Sequence, residues 1–248
     1  MSSTLQAIAV LEMLAREQPV GLSDLARKME LPKSTVQRCI ETLAIAGWVA
    51  MESPATKRWV VSIRPFAVAV TAIERGGLRD RALPVMNRLS AETDETIHLA
   101  VPDKREIVLV ERVDSPHALR AVAPVGMRAP LHASSNGKAV LAASNDDELA
   151  SYIEDGLSSI TSHTMTAPAD VLADIRAARV AGYAVSREEL QDGVVSVASA
   201  IRDNSGRPVA ALSLSAPRDR MPEKRVREVG PVMHAAAEEI GRQLAFGF

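Results

Sequence analysis

A single cysteine, Cys39, stands among 248 residues. It has no partner for an internal disulfide. Because it falls on the inward side of an expected helix, a packed thiol is expected rather than a nucleophile or metal ligand. Long hydrophobic runs are missing too. The most apolar stretch, residues 66–73, is far shorter than the roughly 20 residues a membrane-crossing helix needs. Residues 1–15 carry no basic leader and no small-residue cleavage pattern, so a soluble protein of the reducing cytoplasm, with no membrane partner, is expected. Charge of one sign is also lacking. The net charge is -2, with eight Lys/Arg against six Asp/Glu in residues 1–64 and 21 against 25 in the remainder. A slightly basic first part on an acidic body suits a protein that grips DNA at one end only. No internal repeat or low-complexity tract is visible. Nor is there a G-x-S-x-G elbow, a phosphate loop, an H-E-x-x-H pair or a dinucleotide fingerprint, which argues against an enzyme and implies no cofactor.

What the chain does have is a tight break between two helical patterns in residues 22–48. Ser23 is expected to cap the first helix, which places Leu22, Leu25 and Met29 on one face. Pro32 then disfavours α conformation at Leu31 and lacks the amide that an interior helical position needs. From Lys33 onward Val36, Ile40 and Leu43 recur at helical spacing, and Gly47 stops the run. The opposite face carries Lys33, Ser34, Thr35, Gln37 and Arg38, the residue types that touch phosphates and base edges when a second helix lies in the major groove. Two helices in a hairpin also occur as plain scaffold. The next residues favour DNA: extended runs at 48–51 and 57–61 around a turn at 52–56 complete a winged helix-turn-helix, with Lys57 and Arg58 positioned for the backbone beside the groove.

The rest of the chain suggests a division into residues 1–63 (DNA-binding domain), 64–77 (linker helix and hinge) and 78–248 (a second domain). A nearly all-round apolar helix over 5–15 is expected to cover the back of the helix-turn-helix, with Ser2, Ser3 or Thr4 as its cap. An apolar helix over 66–75 ends at a Gly76–Gly77 hinge and is expected either to meet a second subunit or to pack on its own chain. A helix over 78–92 follows. Strands are expected over 96–101 and 106–112, joined at Pro102-Asp103-Lys104, with a third over 119–123. A Pro/Gly loop then leads into a helix over 137–143. Helices over 146–153 and 168–181 precede strands over 183–186, 194–201 and 208–216, and a helix over 222–244 closes the chain. The mixture indicates an α+β domain on a mostly antiparallel sheet. His98 and His132 have no second ligand at metal spacing and read as satisfied core or loop histidines. Glu188, Glu189 and Asp192 read as a solvated acidic loop.

The segments LSDLARKMELPKSTVQRCIETLAIAGWV, AETDETIHLAV, IVLVERVDSPHALR, VGMRAPLHASSNGKAVLA, ARVAGYAVSREELQDGVVSVASAI and VAALSLSAP, in this order and spacing, resemble the IclR family of transcriptional regulators over nearly the whole chain. The resemblance implies a GAF-like effector-binding domain behind the winged helix. It also implies assembly as a homodimer or dimer of dimers, and repression or activation of operons, often for catabolism of small organic or aromatic acids. It further implies an effector pocket with Ser135 and Asn136 from the loop before a helix opening at Gly137, Val194 and Ser196 from one strand, Ser213 and Ser215 from another, and apolar walls from Ala118, Ala121 and Ala129. Ser196 stands where the family frequently has cysteine, and Ser186 where it often has an acidic residue, so a hydroxyl-rich pocket short of negative charge is expected. Ser213 and Ser215 could instead face solvent, and Asn136 could be an N-cap alone. The expected protein is a ligand-responsive DNA-binding regulator whose partners are a double-stranded operator and a small acid. An effector-independent architectural DNA-binding protein, or an enzyme acting on a small acid, are the alternatives.

Overall fold

Residue 18 begins the turn that ends the first helix, α1 (Ser3–Glu17), which Ser2 caps by accepting the Leu5 amide at 3.4 Å. In this computed structural model, which describes residues 2–74 and 77–245, the chain separates into two units, residues 1–75 and 76–248. The first unit continues with β1 (Val20–Gly21), α2 (Leu22–Lys28), α3 (Lys33–Ile45), β2 (Val49–Ser53), β3 (Arg58–Val61) and α4 (Arg64–Glu74). The three strands pair in the order β1-β3-β2. Val10 and Leu14 of α1 pack with Leu25 of α2 and Val36, Cys39 and Ile40 of α3, all buried, so α1 covers the back of the helix pair and Cys39 is a packed thiol. Gly47 leaves α3 with φ +77°, a conformation costly for any residue with a Cβ.

Ser23 does not cap α2. The helix begins two residues earlier than a Ser23 cap would place it, at Leu22 behind Gly21, and has no side-chain cap. The cause is β1: Val20 and Gly21 are paired to Trp59 and Arg58 of the wing, which fixes the chain in extended form up to Gly21 and leaves Ser23 inside the first turn. The helix expected as a linker, α4, starts at Arg64 and bears exposed Phe66 and Val68. Its expected last residue Arg75 and the hinge residue Gly76 lie outside the described residues.

The second unit comprises α5 (Leu78–Thr93), β4 (Thr96–Asp103), β5 (Glu106–Val113), β6 (Arg128–Pro130), a 3₁₀ turn (Leu131–Ala133), α6 (Ser135–Ala143), α7 (Asp146–Glu154), α8 (Pro168–Ala181), β7 (Ala184–Arg187), β8 (Val194–Arg202), β9 (Pro208–Pro217), a second 3₁₀ turn (Arg218–Arg220) and α9 (Glu223–Ala245). Six strands form one sheet in the order β6-β5-β4-β9-β8-β7, every pair antiparallel. Side chains alternate across a strand, and the sequence uses that alternation to make two different faces. Ile97 and Leu99, Val195 and Val197, Leu212 and Leu214 point one way and pack with α5 and α9 in a core of large aliphatic side chains. Their neighbours Ala100, Ala198 and Ala211 point the other way, where small residues let α6 and α8 approach closely.

Residues 119–123 are not a strand. β6 pairs only with Glu106–Val108 at the start of β5, and the segment over 119–123 forms no ladder with the rest of that edge. Side chains hold it instead: Thr96 Oγ1 donates to the Ala121 carbonyl (3.1 Å), Arg220 Nη1 to that of Leu119 (3.0 Å), and Arg112 to that of Ala123. The acidic loop also departs from expectation at two residues: Glu188 is half-buried, paired with Arg218 at 3.1 Å and accepting the Gly193 amide at 2.8 Å, and Glu189 goes further. Glu189 is buried, because it meets the fully buried Lys138 of α6 at 2.6 Å, with Asp174 of α8 on the same ammonium at 2.9 Å. A charge enters a protein interior only when paired in this way. Helix α6 opens two residues before the expected Gly137, at Ser135.

Candidate functional site

Strand register places the polar residues of the small-residue face in rows. Ser186 of β7 is opposite Ser196 of β8, Ser196 opposite Ser215 of β9, and Ser215 opposite Thr96 of β4. Four neighbouring strands thus present hydroxyls side by side. In the next row lie Ala184, Ala198, Ser213 and His98. Above these rows is a small cavity of about 80 Å³. The start of α6 contributes Ser134, Ser135 and Asn136, the irregular segment contributes Ala121, Val122 and Ala123, and the turn after β7 contributes Leu190 and Gln191. Among the described residues lining it, none carries a formal charge.

The entry to α6 has tight geometry. Ser134 is the cap: its Oγ accepts the Gly137 amide at 3.1 Å. The first intrahelical bond runs from the Lys138 amide to the Ser134 carbonyl, so the N–H groups of Ser135 and Asn136 precede it and the helix offers them at its positive end. Gly137 is required by packing rather than by backbone angle. A Cβ there would sit 2.3 Å from the backbone of Leu131, closer than any real contact. The helix lies directly on the 3₁₀ turn, and only a residue without a side chain permits that.

The Asn136 side chain is not the cap. Its Nδ2 donates to Ser213 Oγ at 2.9 Å. His98 Nδ1 lies 3.2 Å from Ser215 Oγ, and burial, aided by the Arg112 cation, pushes the imidazole down to about 4, so it is neutral at pH 7. Only one of its nitrogens is satisfied, against the expectation of a fully paired core histidine. His132, by contrast, lies at the 3₁₀ turn with both nitrogens engaged, by the Tyr152 hydroxyl (2.8 Å) and the Ser158 carbonyl (2.9 Å). The turn after β7 is pinned from beneath by Lys138–Glu189 and from its flank by Thr164, whose hydroxyl donates to the Glu189 carbonyl at 2.7 Å. Burial raises the Glu189 carboxyl above its ordinary range, while Lys138 pulls the other way.

Of the residues expected around a pocket, Ala121, Ala129, Ser135, Asn136, Ser186, Val194, Ser196 and Ser215 line this cavity together. Two do not. Ala118 is exposed on the irregular segment; with no strand over 119–123 to fix its direction, it turns to solvent. Ser213 lies beneath the lining, 1% exposed, its hydroxyl covered by Asn136. Sequence reasoning missed His98, Ala100, Ile107, Leu109, Met127 and Gln191 among others. For His98 and Ala100 the signal was available: they alternate with the core residues Ile97 and Leu99 as Ser213 and Ser215 alternate with Leu212 and Leu214.

In the first unit, Lys33, Ser34, Gln37 and Arg38 are exposed at the start of α3, and Thr35 is half-buried. Gln37 is partly engaged by Glu41, to which its Nε2 donates at 2.8 Å. Lys33 and Lys57, 24 positions apart in sequence, border one groove between the helix starts and the wing. Lys57 occupies the wing tip with φ +50°, and Arg58 beside it is exposed on β3.

The family described as the IclR helix-turn-helix domain matches residues 3–52, and that described as Bacterial transcriptional regulator IclR C-terminal matches residues 70–242. The chain belongs to the IclR family. It is 31% identical over 246 residues to the HTH-type transcriptional regulator KdgR of Escherichia coli (strain K12), spanning 99% of this chain and 93% of that protein. It is 34% identical over 241 residues to the HTH-type transcriptional repressor AllR of the same strain, spanning 96% and 89%. Among solved structures, an IclR homolog from Microbacterium hydrocarbonoxydans, complexed with 4-hydroxybenzoate, superposes with a TM-score of 0.83 at 27% identity over 98% of this chain and 99% of that one. This IclR-family member is therefore a transcriptional regulator with an N-terminal DNA-binding helix-turn-helix and a C-terminal ligand-binding domain, and not an enzyme. No helix among the described residues is long and apolar enough to cross a membrane.

Proposed function

We propose that this IclR-family regulator controls an operon for catabolism of a small organic or aromatic acid and that the acid is its effector, held over the serine row. The observation that carries this reading is an uncharged, hydroxyl-rich cavity with the N-terminus of α6 at its wall. With no cation in the lining, a carboxylate is held by the Ser135 and Asn136 amides and by the Ser196 hydroxyl. Ala121, Ala129 and Val194 then cover its apolar part. The 4-hydroxybenzoate in the Microbacterium relative supports the same class of ligand.

On this reading residues 1–63 bind the operator, residues 64–77 link, residues 78–248 bind the effector, and the protein works in the cytoplasm. Lys33, Ser34, Thr35, Gln37 and Arg38 enter the major groove while Lys57 and Arg58 meet phosphates. A homodimer or dimer of dimers, with α4 as a subunit contact through Phe66 and Val68, sets two recognition helices one or more turns of DNA apart. The effector shifts the population between two such spacings, by no more than its preference for one of them. The test is a thermal-shift screen of the full chain against aliphatic and aromatic acids. A ligand at a hundred times its Kd adds about 2.7 kcal/mol to stability, and a flat response to every acid would sink the proposal.

A further inference from the structure

Two buried polar atoms of cavity-lining residues have no hydrogen-bond partner: His98 Nε2 and Asn136 Oδ1. Leaving such atoms bare is costly, and a histidine used only to fill a core avoids the cost, as His132 does with both nitrogens bonded. His98 is 5% exposed, its Nδ1 is occupied by Ser215, and its ring is neutral, so the free nitrogen has one hydrogen bond to make. The Asn136 amide is likewise half used, its Nδ2 committed to Ser213. Ser213 is the residue directly opposite His98 in the sheet. His98 and Asn136 thus both adjoin Ser213 of β9, one as its sheet neighbour and the other through its hydrogen bond.

The chemistry that fits both is specific. A carboxylate only accepts, so it leaves Asn136 Oδ1 unpaired. An ammonium only donates and brings a charge into a lining that has none to balance it. A hydroxyl does both: it donates to Asn136 Oδ1 and accepts from His98 Nε2–H, the tautomer set when the Ser215 hydroxyl donates to Nδ1. Resting on the small-acid reading of the cavity, we propose that His98 and Asn136 are the specificity pair for a ligand hydroxyl, and that the effector is a hydroxy acid.

The experiment is calorimetric titration of the full chain with matched pairs: 4-hydroxybenzoate and benzoate, lactate and propionate, gluconate and hexanoate. In at least one pair the hydroxylated acid binds about 10- to 100-fold more tightly, as expected for one satisfied buried partner. His98→Leu brings the ratio within that pair down toward one, and His98→Gln restores part of it. If the unhydroxylated acids bind as tightly as their partners, the hydroxyl pair is wrong while the acid site stands. If no acid of any pair binds, both readings fall. Should His98→Leu not fold, the preference within each pair on the unaltered chain still decides.

Discussion

The two faces of the six-stranded sheet are made from the same strands and solve opposite problems. Toward α5 and α9, Ile97, Leu99, Val197, Leu212 and Leu214 are entirely enclosed by aliphatic neighbours, and each contributes through burial of apolar area, about 1.5–3 kcal/mol per side chain. Toward α6 the alternating residues of β4, β8 and β9 include Thr96, His98, Ala100, Ser196, Ala198 and Ser215, and two residues lining the cavity on this side, His98 and Asn136, carry unpaired polar atoms. One face supplies stability without selectivity, and the other gives up packing for a site. The difference shows that a binding domain can be stable and hollow at once if period-two alternation keeps the two roles on separate residues.

The cavity face does contain one strongly coupled element, and the largest effect is expected there. Glu189→Ala leaves the Lys138 ammonium buried with only Asp174 and the Val185 carbonyl beside it, a loss of about 3–5 kcal/mol in urea unfolding. The double variant with Lys138→Met should recover much of this; failure to recover would mean that the loop, not the charge, is the source. On the dry face, Leu214→Ala should cost about 2–5 kcal/mol and leave ligand affinity unchanged. A matching loss of affinity would break the separation of the faces.

A pH effect comes next. His98 in the native state protonates only near pH 4, whereas unfolded histidine does so near 6.5. The unfolded state therefore gains protons first as pH falls. The contribution of His98 to stability is whole above pH 6.5, declines through the interval, and is lost near pH 4, by about 3 kcal/mol in all. Arg112 steepens the shift and Asp114 opposes it, and His132, also lowered by burial, adds a slope of its own. The difference between the wild type and His98→Leu isolates the His98 part. The smallest stability effect belongs to the serine row: Ser196→Ala should change stability by less than about 1 kcal/mol while weakening acid binding, and the reverse outcome would mark the row as structural.

Much of this was legible in the chain. Leu212-Ser213-Leu214-Ser215 announces a strand with two unlike faces, and Pro32 with Gly47 brackets the second helix of the DNA-binding unit. What was not legible depends on distance along the chain. Glu189 looks solvated until Lys138, 51 positions earlier, is found beside it. Ser23 looks like a cap until β1 is seen paired to a wing nearly 40 residues away. Residues 119–123 have strand-forming composition, but Thr96, Arg112 and Arg220, distant in sequence from one another, hold their carbonyls by side-chain hydrogen bonds in place of a ladder. Ser213 was placed on the correct side of its strand yet is covered by Asn136, a contact across 77 positions. Local pattern gives the side a residue faces; what lies over that side is set by the tertiary fold.

The aligned hydroxyls of β7, β8 and β9 also bear on how such a protein changes its allegiance. Ser186, Ser196 and Ser215 each stand between two residues that face the opposite side of the sheet, as Ser196 stands between Val195 and Val197. A mutation at any one of them redraws one sector of the floor and leaves the scaffold beneath intact. A lineage can therefore sample new metabolites one step at a time, each intermediate still folding, with the three strands acting as independent dials.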